Sequence, residues 1–276
     1  MDLVRTASEL RARLQGEPSI AFVPTMGNLH AGHLGLVKLA ASHGRCVVAS
    51  IFVNRLQFEA GGDFERYPRT LGADREKLAA AGCHVVFAPN EAEMYPEPQE
   101  VRVSPPPVAA ELEGAHRPGH FEGVATVVTK LFHMVRPHAA VFGRKDYQQL
   151  LVIRALVRQL NFGIEIVGGE TLREPDGLAM SSRNGYLTRE ERAEAPRLNR
   201  VLRGVRDAVE KKRSRSFERL CAAAAAELAQ HGWKVDYVQV RSRERLAAPA
   251  LDDAALVVLA AARLGRTRLI DNLEIG

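Results

Sequence analysis

Residues 19–41, SIAFVPTMGNLHAGHLGLVKLAA, constrain this chain more than any other stretch. An apolar run at 20–23 is broken by Pro24 and passes through a Thr25-Met26-Gly27 turn. It ends in an apolar pattern of helical period at Leu34, Val37, Leu39 and Ala40. Strand, tight turn and helix, in that order, is how α/β proteins hold phosphates, because the unpaired N–H groups of a helix start favour an anion. At that start stand His30 and His33, with Gly32 between them. Three residues apart, the two imidazoles share one face of a helical first turn. One histidine there reads as a solvated cap. Two, with glycine where a ligand can approach the backbone, read as nucleotide or phosphate handling. Neutral imidazole donates to phosphate oxygen, and imidazolium stabilises charge built up on a pentavalent phosphorus.

The length of 276 residues suggests one large or two modest domains. With 46% hydrophobic and 26% charged residues the chain can bury a core, which excludes disordered and fibrous classes. No apolar run approaches the roughly 20 residues that span a bilayer. The opening MDLVRTASELRARL alternates charge with apolar residues as a surface helix would, and has no signal-peptide core. Cys46, Cys83 and Cys221 are far apart and form no CxxC pair, so neither a disulfide framework nor a zinc site is indicated and a reducing cytoplasm fits. A net charge of +5 invites a nucleic-acid reading, but aromatics are only 6% and no aromatic-plus-basic stacking platform is visible. The densest basic run, Lys211-Lys212-Arg213-Ser214-Arg215, reads as a solvated linker. A basic chain suits acidic small molecules equally well.

The first two-thirds alternate strand and helix. Residues 46–53 are a continuous apolar run of the kind buried on both faces of a parallel sheet. The spacing predicts a helix over 70–81 stopped by Gly82, a strand over 84–88 and another over 101–103, before Ser104-Pro105-Pro106-Pro107 forbids regular structure. A helical pattern at 123–135 is closed by Pro137, and a buried strand at 139–142 runs into Gly143-Arg144-Lys145-Asp146. A helix follows over 147–160, then a strand over 164–167. Repeated βα units with short loops predict an α/β fold with a doubly wound, Rossmann-like parallel sheet, whose ligands lie at the carboxyl ends of the strands. Residues 24–33, 54–58 and 143–146 all fall at such ends. Near Glu170 the style changes: helices over 190–212 and 217–230 precede strands over 234–240, 256–262 and 268–270. The expected organisation is a Rossmann-like domain over 1–170 and a smaller C-terminal α+β lid domain over 171–276. The loop 180–183 is expected to face back across the boundary.

Beside the histidine pair, Gly143-Arg144-Lys145-Asp146 offers a glycine at a strand end, cations for phosphate and a carboxylate. Met180-Ser181-Ser182-Arg183 supplies two hydroxyls and a guanidinium suited to a β,γ-phosphate pair. Asn54 and Gln57, after a buried strand, are amides that suit neutral hydroxyls and carboxylates. Gln149 sits one helical turn past Lys145, so both can face one crevice.

Together these residues resemble one family. Val23-Pro24-Thr25-Met26-Gly27-Asn28-Leu29-His30-Ala31-Gly32-His33, Ser50-Ile51-Phe52-Val53-Asn54 with Gln57-Phe58, and Tyr67-Pro68-Arg69-Thr70-Leu71 are similar to motifs of the pantoate–β-alanine ligases. So are Arg117-Pro118-Gly119-His120-Phe121, Val141-Phe142-Gly143 with Lys145-Asp146-Tyr147-Gln148-Gln149-Leu150, the run from Asp176 to Asn184, and Leu269-Ile270-Asp271-Asn272. The resemblance covers nearly the whole chain in the family's order. The histidine pair alone would indicate only the wider superfamily of nucleotidylyltransferases and class I aminoacyl-tRNA synthetases; the contexts of Gln57 and Gln149 narrow it.

The resemblance implies a cytoplasmic, homodimeric ligase that uses ATP with Mg²⁺, and the sequence names no direct ligand of that ion. Pantoate attacks the α-phosphate to give pantoyl adenylate and pyrophosphate, and β-alanine then displaces AMP. It implies that Met26, Gly27, Asn28, Leu29, His30, Ala31, Gly32 and His33 line the ATP site, with His33, His30 and Lys145 catalytic. Gly143, Arg144, Lys145, Asp146, Leu172, Met180, Ser181, Ser182 and Arg183 would hold the adenosine and phosphates. Gln57, Gln149 and Asn54 would bind substrate, and Asp74 would stand behind the substrate amides. Three departures from the family pattern are Arg55 for a usual proline, expected to loosen the loop carrying Gln57, Arg144 for an acidic residue, and Glu122 for a basic one. Two other readings remain open: a nucleotidyltransferase that leaves the nucleotide on its product, and a basic RNA-binding module descended from such a fold.

Overall fold

A computed structural model describes residues 1–58, 64–211, 213–250 and 252–276, so Lys212 of the basic run lies outside the described residues. The chain divides into two compact units, Met1–Arg144 with Val152–Glu170, and Lys145–Leu151 with Thr171–Gly276.

The first unit holds β1 (Asp2–Val4), α1 (Ala7–Leu14), β2 (Ile20–Thr25), α2 (Ala31–Ala40), β3 (Cys46–Ile51), α3 (Leu71–Ala80) and β4 (Val85–Phe87). The short helices α4 (Glu91–Met94) and α5 (Glu113–His116) follow, then α6 (His120–Val135), β5 (Ala139–Gly143), α7 (Tyr147–Gln159) and β6 (Glu165–Gly169). The first five residues of α7 belong to the second unit by their packing. All six strands are parallel, in the order β1-β4-β3-β2-β5-β6. Chain order therefore runs one way from β2 through β3 to β4 and the other way from β5 to β6. The reversal falls between β2 and β5, the place where open α/β sheets take ligands. Ala21, Val23, Val47, Ala49, Val86 and Val141 face Val37, Ala40 and Leu78, so α2 and α3 cover this face of the sheet.

Four local expectations are corrected. Pro24 does not break the strand: β2 runs to Thr25, with Pro24 in register with Ser50. Pairing with β5 involves only Ala21 and Phe22, so at Pro24 the strand is already an edge on that side and the missing N–H costs nothing. Residues 101–103 form no strand, because the Val103 N–H donates to the Thr126 hydroxyl (3.1 Å) and Val101 is 79% exposed. The N-terminal segment is not wholly helical, since β1 pairs with β4 at the sheet edge before Thr6 caps α1. The pattern at 190–212 is two helices, α8 (Arg189–Glu194) and α9 (Arg197–Glu210), because Pro196 between them has no N–H to continue the ladder.

In the second unit, α9 and α10 (Phe217–Gln230) pack on an antiparallel sheet of β7 (Trp233–Ser242), β8 (Leu256–Leu264) and β9 (Thr267–Ile275), in that order. Leu198, Leu202, Leu228, Trp233 and Val258 form its core. Of the basic run, Arg215 is not simply solvated: it donates to the Asp253 carbonyl at 3.2 Å.

Candidate active site

In the first unit the site begins where β2 ends. Thr25 Oγ1 donates to the Ser50 carbonyl (2.7 Å) and accepts from Gly27 N (3.2 Å), which starts the turn. Gly27 (φ 83°) and Asn28 (φ 50°) are both left-handed, a conformation glycine and asparagine tolerate best. A Cβ on Gly27 would also lie 3.1 Å from both Asp74 Oδ2 and Ile51 Cγ2. The turn is clamped from α3. Asp74, with no exposed surface, accepts from Asn28 N at 2.9 Å, Leu29 N at 2.8 Å and Thr70 Oγ1 at 3.0 Å. Lys77 Nζ donates to the Leu29 carbonyl at 2.8 Å. Asp74, which the motif match sets behind the substrate amides, lies under the backbone that leads into the histidines.

The histidines cap each other's helix. His30 is the N-cap of α2, and its Nδ1 accepts from Gly32 N (3.2 Å), while His33 Nδ1 accepts from His30 N (3.4 Å). The pattern is that of a Ser-x-x-Glu capping box built from two imidazoles, with the ring centroids 4.0 Å apart. Because each Nδ1 accepts a backbone N–H, each neutral ring carries its proton on Nε2. Two Nε2–H donors therefore stand at a helix N-terminus that itself favours an anion.

Gly143 ends β5, the strand next to β2, so it shares the switch point with Met26 and Gly27. Arg144, the residue expected to add positive charge, pairs with Glu170 at 2.7 Å, which offsets that charge. Arg55, expected to loosen the loop carrying Gln57, is itself held among the described residues. The 3-10 turn Arg55–Gln57 is intact, and the guanidinium donates to Glu91 at 3.1 Å and lies 4.3 Å from the Phe64 ring centre.

Asn54 and Gln57 play different parts. Asn54 is buried, and its Nδ2 donates to Gln57 Oε1 (3.0 Å) and to the Gly123 carbonyl (3.1 Å), while its Oδ1 accepts from Tyr95 OH (2.6 Å). Both amide hydrogens of Asn54 are thus committed within the protein. Gln57 Nε2 points at Met26 Sδ, 3.1 Å away, and the Gln57 carbonyl is met by the His120 ring at 2.9 Å and by Arg117 at 3.3 Å. Gly123 is needed for this approach, since a Cβ there would lie 2.2 Å from the Leu56 carbonyl oxygen. Burial raises the Tyr95 phenol above its ordinary value, which keeps it a donor.

In the second unit, Lys145 and Asp146 lie in a 3-10 turn before α7, with Lys145 Nζ 3.9 Å from Asp146 Oδ1, and Gln149 follows in the first turn of the helix. Residues 171–183 form an arm closed by the Arg173–Ala179 bridge and by Met180 N donating to the Leu172 carbonyl (3.0 Å). Leu172 is 43% exposed, an apolar surface of the kind an adenine ring covers. Ser181 Oγ caps the turn that carries Ser182 and Arg183 by accepting from Arg183 N (3.2 Å). The arm is fixed from β9: Asp271, 3% exposed, takes a two-pronged contact from Arg173 (2.7 and 2.9 Å) and a third from Asn199 Nδ2 (3.0 Å). Its neighbour Asn272 accepts from Arg173 through its carbonyl (3.1 Å) and donates its Nδ2 to the Lys145 carbonyl (2.8 Å). One pair of strand residues thus holds both the arm and the backbone of Lys145. Lys77 and Tyr95, which support segments of the first unit, and Arg173 and Asn199, which support segments of the second, escaped sequence reasoning.

The sequence profile of the pantoate-beta-alanine ligases matches residues 2–274. A pantothenate synthetase from Thiobacillus denitrificans is 61% identical over 276 residues, covering 100% of this chain and 97% of the relative. One from Nitrosospira multiformis is 58% identical over 275 residues, covering 100% and 98%. Among solved structures, pantothenate synthetase from Thermus thermophilus superposes with a TM-score of 0.93 at 47% identity, covering 99% of each chain. Pantoate-beta-alanine ligase from Francisella tularensis, complexed with beta-gamma ATP and beta-alanine, gives a TM-score of 0.83 at 34% identity, covering 99% of this chain and 97% of that one. With the capped histidine pair at the sheet's switch point and a family match along its length, this chain belongs to the pantoate–β-alanine ligase family.

Proposed function

We propose that this ligase joins pantoate to β-alanine in two steps that consume one ATP. A pantoate carboxylate oxygen attacks the α-phosphorus, the bond to pyrophosphate breaks, and pantoyl adenylate forms. The β-alanine amine then attacks the acyl carbon, AMP leaves with the bonding pair, and the amine proton passes to solvent. The ligands of the Francisella relative, beta-gamma ATP and beta-alanine, are two of the three this reading assigns to the chain.

The observation that carries the reading is the mutual cap of His30 and His33, which commits both Nδ1 atoms and so puts the proton of each neutral ring on Nε2 at the start of α2. Charge develops on the α-phosphate oxygens as the carboxylate attacks, and preorganised donors lower that barrier without reorganising. We assign His33 and His30 to those oxygens and the turn 26–29 to the nucleotide's approach. Lys145, Ser181, Ser182 and Arg183 go to the phosphates, with Gly143, Arg144, Asp146, Leu172 and Met180 along the nucleotide. Gln57 and Gln149 take the pantoate oxygens, and Asn54 acts through Gln57.

Among the described residues, no group of three or more His, Cys, Asp or Glu side chains could hold a metal ion. The reading has Mg²⁺ arrive on the triphosphate, an ion that usually keeps several waters and is bound through substrate phosphates. Bound there, the ion would neutralise phosphate charge and polarise the reacting phosphorus. The reading extends to a homodimer in the cytoplasm; sedimentation equilibrium checks the first.

The test is pantoate-dependent exchange of labelled pyrophosphate into ATP with Mg²⁺ and no β-alanine. Exchange is expected, and its absence at saturating pantoate would overturn the adenylate. Replacing His33 or Lys145 by Ala should lower exchange by about 10²-fold while circular dichroism is unchanged. AMP kept on the product rather than released would mark a nucleotidyltransferase instead.

A further inference from the structure

We infer that Tyr95, Asn54 and the Gly123 carbonyl together fix which end of the Gln57 amide faces substrate, so that Gln57 is held as a hydrogen-bond donor. A glutamine amide can present its oxygen or its NH₂, and the two differ only by a half-turn. Here the half-turn is decided by a chain of contacts with a fixed end. The Gly123 carbonyl can only accept, so the group of Asn54 facing it at 3.1 Å is its NH₂. That leaves Asn54 Oδ1 toward Tyr95, whose hydroxyl donates to it at 2.6 Å. The second Nδ2 hydrogen then points at Gln57 at 3.0 Å, and only an oxygen can receive it. Gln57 Oε1 is consequently used by Asn54, and its Nε2 is the end turned away from Asn54, toward Met26 Sδ at 3.1 Å. Turning the Gln57 amide over would set two NH₂ groups against each other beside a buried asparagine, leaving a donor without a partner.

The Gln57 backbone is held as firmly as its side chain. His120 and Arg117 both engage the Gln57 carbonyl, and Gly123 lets α6 close onto the turn. Asn54 and Tyr95 are therefore positioning residues, and the specificity they impose is for an acceptor oxygen, carboxylate or hydroxyl, at that point of the acid substrate. This rests on the assignment of Gln57 to pantoate.

Three variants of the full chain test it, with the KM for pantoate and the KM for ATP measured separately. Asn54→Asp turns an oxygen toward Gln57, so Gln57 turns over and presents its own oxygen to the substrate. Because it also sets an oxygen against the Gly123 carbonyl, circular dichroism and urea unfolding check that the variant stays folded, and Tyr95→Phe carries the test if it does not. The KM for pantoate should rise by at least about tenfold while that for ATP holds within about twofold, a split that general loosening would not produce. Tyr95→Phe, which removes only the hydroxyl that steadies Asn54, should shift the same parameter the same way by a smaller factor. Gln57→Ala separates the two layers of inference. If it leaves pantoate binding unchanged, the assignment of Gln57 fails. If it abolishes binding while Asn54→Asp leaves the KM for pantoate unchanged, or moves both KM values together, the polarity relay is overturned and the assignment stands.

Discussion

Two buried carboxylates hold the two segments assigned to ATP in this ligase, and they do it by different chemistry. Asp74 lies under the 28–29 turn and is satisfied by two backbone N–H groups and the Thr70 hydroxyl, all neutral donors. Asp271 lies under the 171–183 arm and is satisfied by a guanidinium held in two places, with Asn199 beside it. A carboxylate that accepts from main-chain donors fixes backbone dihedrals directly, and here it fixes the turn that aims His30. A carboxylate paired with Arg173 fixes a side chain, and the arm follows because Arg173 also donates to the Gly177 carbonyl at 3.1 Å. The first arrangement sets angles, whereas the second sets attachment. The turn should therefore be sensitive in catalysis and the arm in stability.

The largest effect expected from breaking this comparison is at Asp271. Asp271→Ala leaves the mostly buried Arg173 guanidinium without its counter-charge, and loss of one partner of such a pair costs about 3–5 kcal/mol. Urea unfolding should show a loss of that size, read as the midpoint shift multiplied by the slope m. A cost below about 1 kcal/mol would mean that the arm is held by other contacts. Next comes Asp74→Asn, which keeps one acceptor but turns an NH₂ against a backbone N–H. Stability should fall by only about 1–3 kcal/mol. Pyrophosphate exchange should fall by about 10²-fold, since a displacement near 1 Å at a reacting group costs that much. Lys77→Met removes the outer jaw of the same clamp and should lower exchange by roughly the square root of that factor with the fold intact. Equal losses of stability at Asp74 and Asp271, with exchange unaffected at Asp74, would erase the distinction.

The same contrast explains what could be read from the sequence. The histidine pair, the βα alternation and the switch-point loops were legible because their signals are local: a period of 3.6 or 2, a turn, a helix start. The three-stranded C-terminal sheet was legible for the same reason, although its strands run longer than their apolar patterns, to Ser242, Leu264 and Ile275. The supports were not legible. Asp74 meets residues 45 and 46 positions earlier, and Arg173 meets one 98 positions later, so nothing within a window of either residue predicts its partner. Asn54 reads as a ligand amide because its type and place suit one, and only coordinates show its hydrogens already spent on Gly123 and Gln57. Pro24 misled in the opposite direction. The rule that proline ends a strand assumes a neighbour on both sides, and β5 pairs only as far as Phe22.

The smallest effect is expected at a third carboxylate, also on the arm but near its surface. Asp176 contacts Arg192 at 2.6 Å, and its carboxyl titrates below the ordinary aspartate value, chiefly because Arg192 donates to it and also because it accepts from Leu178 N. A carboxyl lowered on folding contributes stability above its unfolded value, about 3.9, and loses that contribution as pH falls through the folded value. Both side chains are more than a third exposed, so solvent screens the pair and its worth lies within about 1 kcal/mol. Asp176→Asn should therefore lower stability slightly at pH 7, less in 1 M salt, and not at all once the pH has dropped below the folded value. Asp271→Ala, by contrast, should keep most of its cost in high salt, because Asp271 and Arg173 are shielded from counter-ions. If 1 M salt removes the Asp271 effect as fully as the Asp176 effect, the arm is held by surface electrostatics and the buried anchor is not what fixes it.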